Sequence, residues 1–199
     1  MSKRFVVLAL STLAFAVHAQ VSDEDRLKRG EVVVTSEEIE GSRTPRVTAK
    51  GIIDVAPEIL WPLIDRCGDY RRTMIRISAS EELSRKDGIV LCRSTVDLPF
   101  PMPSLTSTTE GVHTVTPGQR YERTWTLLEG PYRDNSGTWI LVPYGTTGHQ
   151  TLLTYVMHAD PELPIPGWVQ RMAQRKSIPQ LFARLGNLAR ASVPEQRSK

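Results

Sequence analysis

Histidine and serine carry much of the acid–base and nucleophilic chemistry of proteins. In this sequence their spacings match no familiar metal-binding or catalytic motif. His149 and His158 lie nine positions apart, so they would face opposite sides of one regular strand and could not share a metal ion. His113 has no cysteine or acidic residue at a short ligand spacing. We therefore predict no metal site, and we expect surface-exposed or hydrogen-bonded structural histidines.

Nucleophile motifs are also missing from the sequence. There is no G-x-S-x-G turn, and the glycines between residues 145 and 148 precede a predicted strand rather than a helix, so they do not form a phosphate cradle. The sequence therefore predicts no catalytic residue.

Two polar residues, Asp97 and Arg123, are better candidates for contact with a ligand. Arg123 shares strand parity with Tyr121, Trp125 and Leu127, which places a positive charge on an otherwise apolar strand face. In that position it could bind a carboxylate or phosphate headgroup. The alternative is a salt bridge or a solvent-facing position, because most charged residues in proteins are exposed.

Large apolar residues are the remaining candidates for a ligand site. Together with Arg123, the predicted ligand-binding set contains Trp125, Trp139, Tyr155, Met157, Trp168, Met172 and Phe182. Methionine adapts its shape to flexible ligands, and aromatic side chains provide large contact areas. Each of these residues could also be ordinary core, because a cavity wall and a packed core need the same inward-facing side chains.

The two cysteines, Cys67 and Cys92, are 25 residues apart. They could pair in an oxidising compartment, or they could be buried thiols that behave as small hydrophobic residues. Neither lies in a CxxC motif, so the sequence gives no basis for zinc binding or thioredoxin-type chemistry.

The N-terminus has the pattern of a signal peptide. Lys3 and Arg4 precede an apolar run from Phe5 to Val17, and Ala19 suits the position before a cleavage site. We predict a signal peptide over residues 1–19 and a periplasmic or secreted mature protein. The alternative is an uncleaved anchor, although the run is shorter than the roughly 20 apolar residues that span a bilayer.

Removal of this segment changes the charge of the protein. It takes away two basic and no acidic residues, which leaves 23 basic against 22 acidic residues and a net charge of +1. A nearly neutral domain lacks the clustered basic surface that nucleic-acid binding needs, so no nucleic-acid partner is predicted.

The first part of the mature chain divides into three pieces. Residues 20–45 are predicted to be a polar, exposed lead-in, in which Val32–Val34 could form an extra edge strand. A strand is predicted from Arg46. Pro57 suits the first turn of a helix, and Gly68 interrupts this helical region, which gives a short helical pair after the first strand.

The centre of the chain predicts an antiparallel sheet. About six strands with short turns extend from Ile75 to about residue 160, with turn signals at Asp87-Gly88 and Pro117-Gly118. Asn135-Ser136-Gly137 predicts a further turn before a strand that begins at Thr138.

The C-terminal region predicts a long amphipathic helix. Its apolar face consists of Trp168, Met172, Ile178, Leu181, Phe182, Leu185 and Leu188. Pro179 must kink or restart this helix, because proline removes a backbone donor and clashes with the preceding turn. Residues 192–199 are predicted to be a disordered tail.

These elements predict one α+β domain over residues 46–191 with a helix-grip fold. In that fold a curved antiparallel sheet wraps around the long C-terminal helix, and a short helical pair follows the first strand. Such an arrangement leaves room for a mostly apolar cavity between the sheet and the helix.

Four phrases of the sequence resemble the START/Bet v1-like (SRPBCC) superfamily, most closely its bacterial START-domain and polyketide cyclase-like branch. They are Ala56-Pro57-Glu58, Trp61-Pro62-Leu63-Ile64, Val96-Asp97-Leu98-Pro99-Phe100-Pro101 and Pro164-Ile165-Pro166-Gly167-Trp168. The resemblance covers residues 46–190. It implies a deep apolar cavity, a lipid or other hydrophobic ligand, and no metal or cofactor.

Three classes of function remain open. The first is an exported protein that binds or transfers a lipid or other hydrophobic small molecule. The second is a polyketide cyclase or aromatase, which is disfavoured because its substrate would normally arrive on a cytoplasmic carrier. The third is an interaction domain whose core is filled.

Two proline-rich apolar loops bear on the choice of partner. If Leu98–Pro103 and Leu163–Trp168 meet at one end of the sheet, they would form the mouth of the cavity. With the basic face of the helix nearby, they could rest peripherally on an anionic membrane. The alternative is that the loops cap the core and the arginines are ordinary solvated surface.

Overall fold

The computed structural model of the chain describes residues 22–193. The predicted signal peptide lies outside this range, as does the predicted tail beyond residue 193. Within the described residues, no helix is both long enough and apolar enough to cross a membrane.

Eight antiparallel strands form one curved sheet in the order β1-β2-β8-β7-β6-β5-β4-β3. The strands are β1 (Val33–Glu37), β2 (Arg46–Ile53), β3 (Ile77–Lys86), β4 (Ile89–Val96), β5 (Leu105–Thr116), β6 (Arg120–Glu129), β7 (Tyr132–Tyr144) and β8 (Gln150–Pro161). The strands β3 to β8 are consecutive hairpins, and β2 crosses to pair with β8. The predicted antiparallel sheet is confirmed.

The helices cover the concave face and one end of this sheet. They are α1 (Asp23–Lys28), α2 (Pro57–Leu60), α3 (Pro62–Asp65), α4 (Tyr70–Thr73), α5 (Gly167–Met172) and α6 (Ile178–Ser192). Short helices follow β2, and the C-terminal helical segment packs into the sheet, so the predicted helix-grip fold is confirmed.

The C-terminal helical segment is divided in the way that its proline requires. A π-helical turn, Ala173–Ser177, separates α5 from α6, and Pro179 lies in the first turn of α6. The π-helical turn lies just before Pro179, where the missing proline N–H prevents a regular α-helical hydrogen bond. Ile178, Leu181, Phe182 and Leu185 are buried against the sheet.

The N-terminal segment is more structured than an exposed lead-in. Strand β1 pairs with β2 along its whole length, from Val33 opposite Lys50 to Glu37 opposite Arg46. Val33 is buried, whereas the later side chains of β1 are exposed. An edge strand needs only a short apolar stretch. Most of β1 is polar, so its sequence pattern indicated a strand only weakly.

Strand β7 continues through the segment that was predicted to be a turn. It begins at Tyr132 and includes Asn135-Ser136-Gly137, so the prediction of a strand start at Thr138 is wrong. A Cβ atom at Gly137 would collide with the carbonyl oxygen of Val156 and the indole of Trp125. Glycine therefore marks a close approach of an aromatic ring to the backbone, and not a chain reversal.

Cys67 and Cys92 form a disulfide, with Cα atoms 6.1 Å apart. Cys67 lies in the 3-10 turn before α4, and Cys92 lies in β4. The bond joins the helical region to the sheet. The structure therefore shows the disulfide, and not the alternative of two buried free thiols.

Candidate functional site

A cavity of about 340 Å³ lies between the concave face of the sheet and the C-terminal helical segment. Cavities of this size hold small organic ligands. Most of the wall is apolar, and it is formed by β3 to β8 on one side and by Val169, Met172, Ile178 and Leu181 on the other.

The cavity is closed at one end by a row of residues that crosses the sheet. His113, Arg123, Trp139 and Tyr155 are successive partners on β5, β6, β7 and β8. Arg123, Trp139 and Tyr155 face the cavity. The neighbouring row, which includes Tyr121, Leu141 and Leu153, is buried in the filled core beyond it.

We assign the entrance to the opposite end of the cavity, where half-buried loop residues line it. Leu98 and Pro99 from the β4–β5 loop, and Ile165 from the loop after β8, line the cavity there. The two proline-rich loops therefore meet at one end of the sheet. Asp97 also lies here and accepts hydrogen bonds from the Ser104 and Ser78 hydroxyls, which lower the pKa of its carboxyl group.

Six of the eight residues in the predicted ligand-binding set line this cavity. They are Arg123, Trp125, Trp139, Tyr155, Met157 and Met172. Phe182 and Trp168 do not. Phe182 is fully buried in the core, against Gly51 and Trp139. Trp168 is 47% exposed, on α5 outside the entrance.

Aromatic rings give the closed end a rigid wall. The rings of Trp139 and Tyr155 are stacked with centroids 3.9 Å apart, and Trp125 stacks on the other side of Tyr155 at 6.0 Å. The indole nitrogen of Trp125 donates to Asn135, which also lines the cavity. Burial raises the pKa of the Tyr155 hydroxyl, which therefore stays neutral at ordinary pH.

Arg123 is the polar side chain at the closed end, and it is only 3% exposed. Its Nε–H donates to Nε2 of His113 over 3.1 Å. Because arginine has no acceptor, Nε2 of His113 must accept, and the ring proton lies on Nδ1. Nδ1 then donates to Oδ1 of Asp65 over 2.8 Å.

Asp65 anchors this chain of hydrogen bonds at the other end. Burial raises the pKa of its carboxyl group, but hydrogen bonds from His113 and Arg85 outweigh that effect and lower the pKa. Asp65 is therefore an ionised acceptor that fixes the His113 ring. The prediction of a hydrogen-bonded structural histidine at position 113 agrees with this geometry.

Sequence reasoning missed the pairing of His113 with Arg123, although a signal for it was present. A hairpin centred on Gly118 places position 113 opposite position 123, and this is the observed register. Tyr70 was also missed. Its hydroxyl donates to the Ile64 carbonyl over 2.6 Å, and its ring lies against the guanidinium, whose carbon is 5.5 Å from the ring centre.

The other two described histidines, His149 and His158, do not line the cavity. In the described part of the chain, no cluster of three or more His, Cys, Asp and Glu residues could hold a metal ion. His158, the other buried histidine, lies outside the cavity and bonds to Asp134 and Ser42. His149 is exposed in the turn before β8.

Similar folds occur among solved structures. A STAR-related lipid transfer protein from Xanthomonas axonopodis has 19% identity and a TM-score of 0.67, over 79% of this chain and 93% of that one. Human STARD10 has 14% identity and a TM-score of 0.67, over 89% and 84% of the two chains. The Zhui aromatase/cyclase of a Streptomyces strain has 17% identity and a TM-score of 0.58, over 75% and 96%.

At these identities the likeness establishes the fold. No curated protein matches the sequence. The sequence itself matches the family described as "Polyketide cyclase / dehydrase and lipid transport" over residues 53–185, which is most of the folded part. The chain therefore belongs to this START-like (SRPBCC) family of polyketide cyclases and lipid transport proteins.

Proposed function

We propose that the protein is an exported carrier that binds or transfers a lipid or other hydrophobic small molecule. The observation that carries this proposal is the cavity of about 340 Å³, which is apolar along its length, open at one end and polar at the other. Transfer of apolar surface from water would drive binding, at roughly 25 cal/mol per Å² before the costs of ordering.

Binding of a fluorescent apolar probe tests this proposal. N-phenylnaphthylamine should bind saturably at one site per chain, with a rise in fluorescence, and fatty acids should displace it. A protein that neither binds the probe nor responds to lipids would contradict the carrier function and would favour an interaction domain.

The alternative function, a polyketide cyclase or aromatase, has less support from the site. Such chemistry needs a general acid or base within hydrogen-bond reach of the reacting atoms. Among the described residues, Asp97 is the carboxylate that lines the cavity, and two hydroxyl groups hold it at the entrance. The Tyr155 hydroxyl is directed to the sulfur of Met157 at 3.1 Å.

Export is supported by the predicted signal peptide and by the Cys67–Cys92 disulfide. Disulfides persist in oxidising compartments and are rare in the bacterial cytosol. A periplasmic or secreted protein of this kind would move its ligand between membrane surfaces by noncovalent binding alone.

Peripheral contact with a membrane belongs to the same proposal. Phe100 in the β4–β5 loop is 94% exposed and Trp168 in the first turn of α5 is 47% exposed, and both lie beside the entrance. The exposed basic side chains of Arg171, Arg175 and Lys176 follow on the same helical segment. Apolar anchors beside basic residues favour an anionic lipid surface.

Replacing both anchors, Phe100→Ser and Trp168→Ser together, should weaken sedimentation with phosphatidylglycerol-containing vesicles by about tenfold or more. The reason is the loss of two apolar side chains that would insert at the headgroup boundary. Val115→Ser is the matched control, because Val115 is 42% exposed on β5 beside the β5–β6 hairpin, at the opposite end of the sheet. Equal sedimentation of all three proteins would contradict the membrane contact.

A further inference from the structure

We propose that the ligand carries a carboxylate, that Arg123 binds this group at the closed end of the cavity, and that the apolar tail extends toward the entrance. This inference rests on the proposed carrier function and names the chemical class of its ligand.

Arg123 is a buried charge that the protein does not fully compensate. The guanidinium stays protonated at all ordinary pH values and has five N–H donors. The structure provides a protein acceptor for the Nε–H, which is His113, whereas Nη2 is buried without any hydrogen-bond partner. A buried cation without a partner is costly, and it indicates a group that is supplied by the ligand.

The nearest acidic group does not neutralise Arg123. The carboxylate of Asp65 reaches it only through the neutral imidazole of His113, and Asp65 is itself paired with Arg85 at 2.9 Å. In the described residues, no aspartate or glutamate forms a salt bridge with Arg123. The faces of Tyr70 and Trp125 offset part of the charge, at 5.5 and 5.8 Å from the guanidinium carbon.

The guanidinium is held in place before any ligand binds. A Cβ atom at position 111 would lie 2.9 Å from Nη2, so Gly111 provides the space in which the guanidinium lies flat on the sheet. The Asp65–His113 chain fixes Nε, and the Arg123 side chain lines the cavity with its Nη groups not used by this chain. A preorganised fork of this kind matches the two oxygens of a carboxylate.

The surroundings favour a carboxylate over a phosphate. One arginine balances one negative charge, and the neighbours of Arg123 at the closed end are Trp139, Tyr155 and Tyr70, which supply no second cation. From Tyr155 to Pro161 the cavity follows β8 for about 20 Å, at roughly 3.3 Å per residue. An extended alkyl tail fits this direction.

The test compares three amphiphiles with the same tail, namely laurate, dodecanol and dodecyl phosphate, by displacement of N-phenylnaphthylamine from the full mature protein. We expect laurate to bind at least about tenfold more tightly than dodecanol. Arg123→Met keeps much of the side-chain volume and removes the charge. It should weaken laurate binding by about 30-fold and leave dodecanol binding unchanged or tighter. Arg93→Met, on an exposed position of β4, is the control and should change neither.

The outcomes separate this inference from the carrier function. Equal affinity of the wild-type protein for laurate and dodecanol would overturn the carboxylate assignment while the carrier function stands, and this comparison needs no variant. Tighter binding of dodecyl phosphate than of laurate would also overturn it. Failure of all three amphiphiles and of the probe would contradict both the inference and the carrier function.

Discussion

The Ser177→Trp variant is expected to keep its fold and to lose the binding of apolar ligands by more than about 100-fold, which corresponds to about 2.7 kcal/mol. Ser177 is buried in the π-helical turn, and it lines the cavity between α5 and α6. An indole at this position would occupy the space that a ligand needs. Titration with N-phenylnaphthylamine measures the loss.

The matched control for this variant is Gln180→Trp, because Gln180 is exposed on the outer side of α6. It adds the same side chain to the same helical segment without entering the cavity, so probe binding should be unchanged. If Ser177→Trp binds the probe as well as the wild-type protein does, the cavity is not the binding site.

The Arg133→Met variant is expected to lose about 3 kcal/mol of unfolding free energy at neutral pH, because it leaves a buried carboxylate without its partner. Arg133 on β7 donates from Nε to Oδ2 of Asp160 on β8 at 2.9 Å, with further bonds from Nη2. The Asp160 side chain is 4% exposed. Urea denaturation measures the loss, and adding Asp160→Leu to the same chain should recover most of it.

The cost of Arg133→Met should depend on pH in a defined direction. Burial raises the pKa of Asp160, but the bonds and charge of Arg133, together with hydrogen bonds from Ser42 and the Arg43 backbone, outweigh it and hold the pKa below its usual range. In the wild-type protein this carboxylate therefore stabilises the fold above about pH 4, and the contribution is lost as the pH falls through the folded-state pKa.

Without Arg133, burial still raises the pKa of Asp160 and only the hydrogen bonds from Ser42 and the Arg43 backbone oppose it, so the carboxyl group becomes neutral at a higher pH than in the wild-type protein. The difference in stability between the variant and the wild-type protein should then shrink as the pH falls from 7 toward about 4. A difference that stays constant over this range would show that the ion pair is not the source of the loss.

Most of the sheet could be predicted from the sequence because its hairpins carry strong local signals. Asp87-Gly88 and Pro117-Gly118 mark turns that the structure confirms between β3 and β4 and between β5 and β6. The turn prediction at Gly137 was wrong because a single sequence cannot distinguish two uses of glycine. One is a turn of the chain, and the other is the close packing of an aromatic ring on the backbone, which is the case here. Strand β1 was underestimated because an edge strand needs little apolar sequence.

The cavity wall was predicted more accurately on the strands than on the helix. Along β6, β7 and β8, successive side chains alternate between the two faces of the sheet, so the residues that face inward can be identified without knowing how they pack. The prediction therefore included Arg123, Trp139 and Tyr155. On the helix, the π-helical turn changes the rotation of α6 relative to α5. A single 3.6-residue period therefore does not place Trp168 and Phe182 on the same face. Phe182 then packs over Gly51 in the closed core, and Trp168 lies outside.

The burial of Arg123 could not be predicted because it depends on contacts that are distant in sequence. Gly111 provides its space, His113 binds its Nε, and Asp65 of α3 orients His113. The hairpin register alone would have placed His113 opposite Arg123. It would not have shown that the guanidinium lies inside a cavity and lacks a carboxylate partner.

The most direct test of the carrier function is native mass spectrometry of the mature protein isolated from the periplasmic fraction, followed by extraction and identification of what is released. We expect a chain that begins at Gln20 and carries one amphiphile, a carboxylic acid with an apolar tail, at up to one molecule per chain. A bare polypeptide mass that does not shift on addition of fatty acids, phospholipids or polyketides would contradict the carrier function.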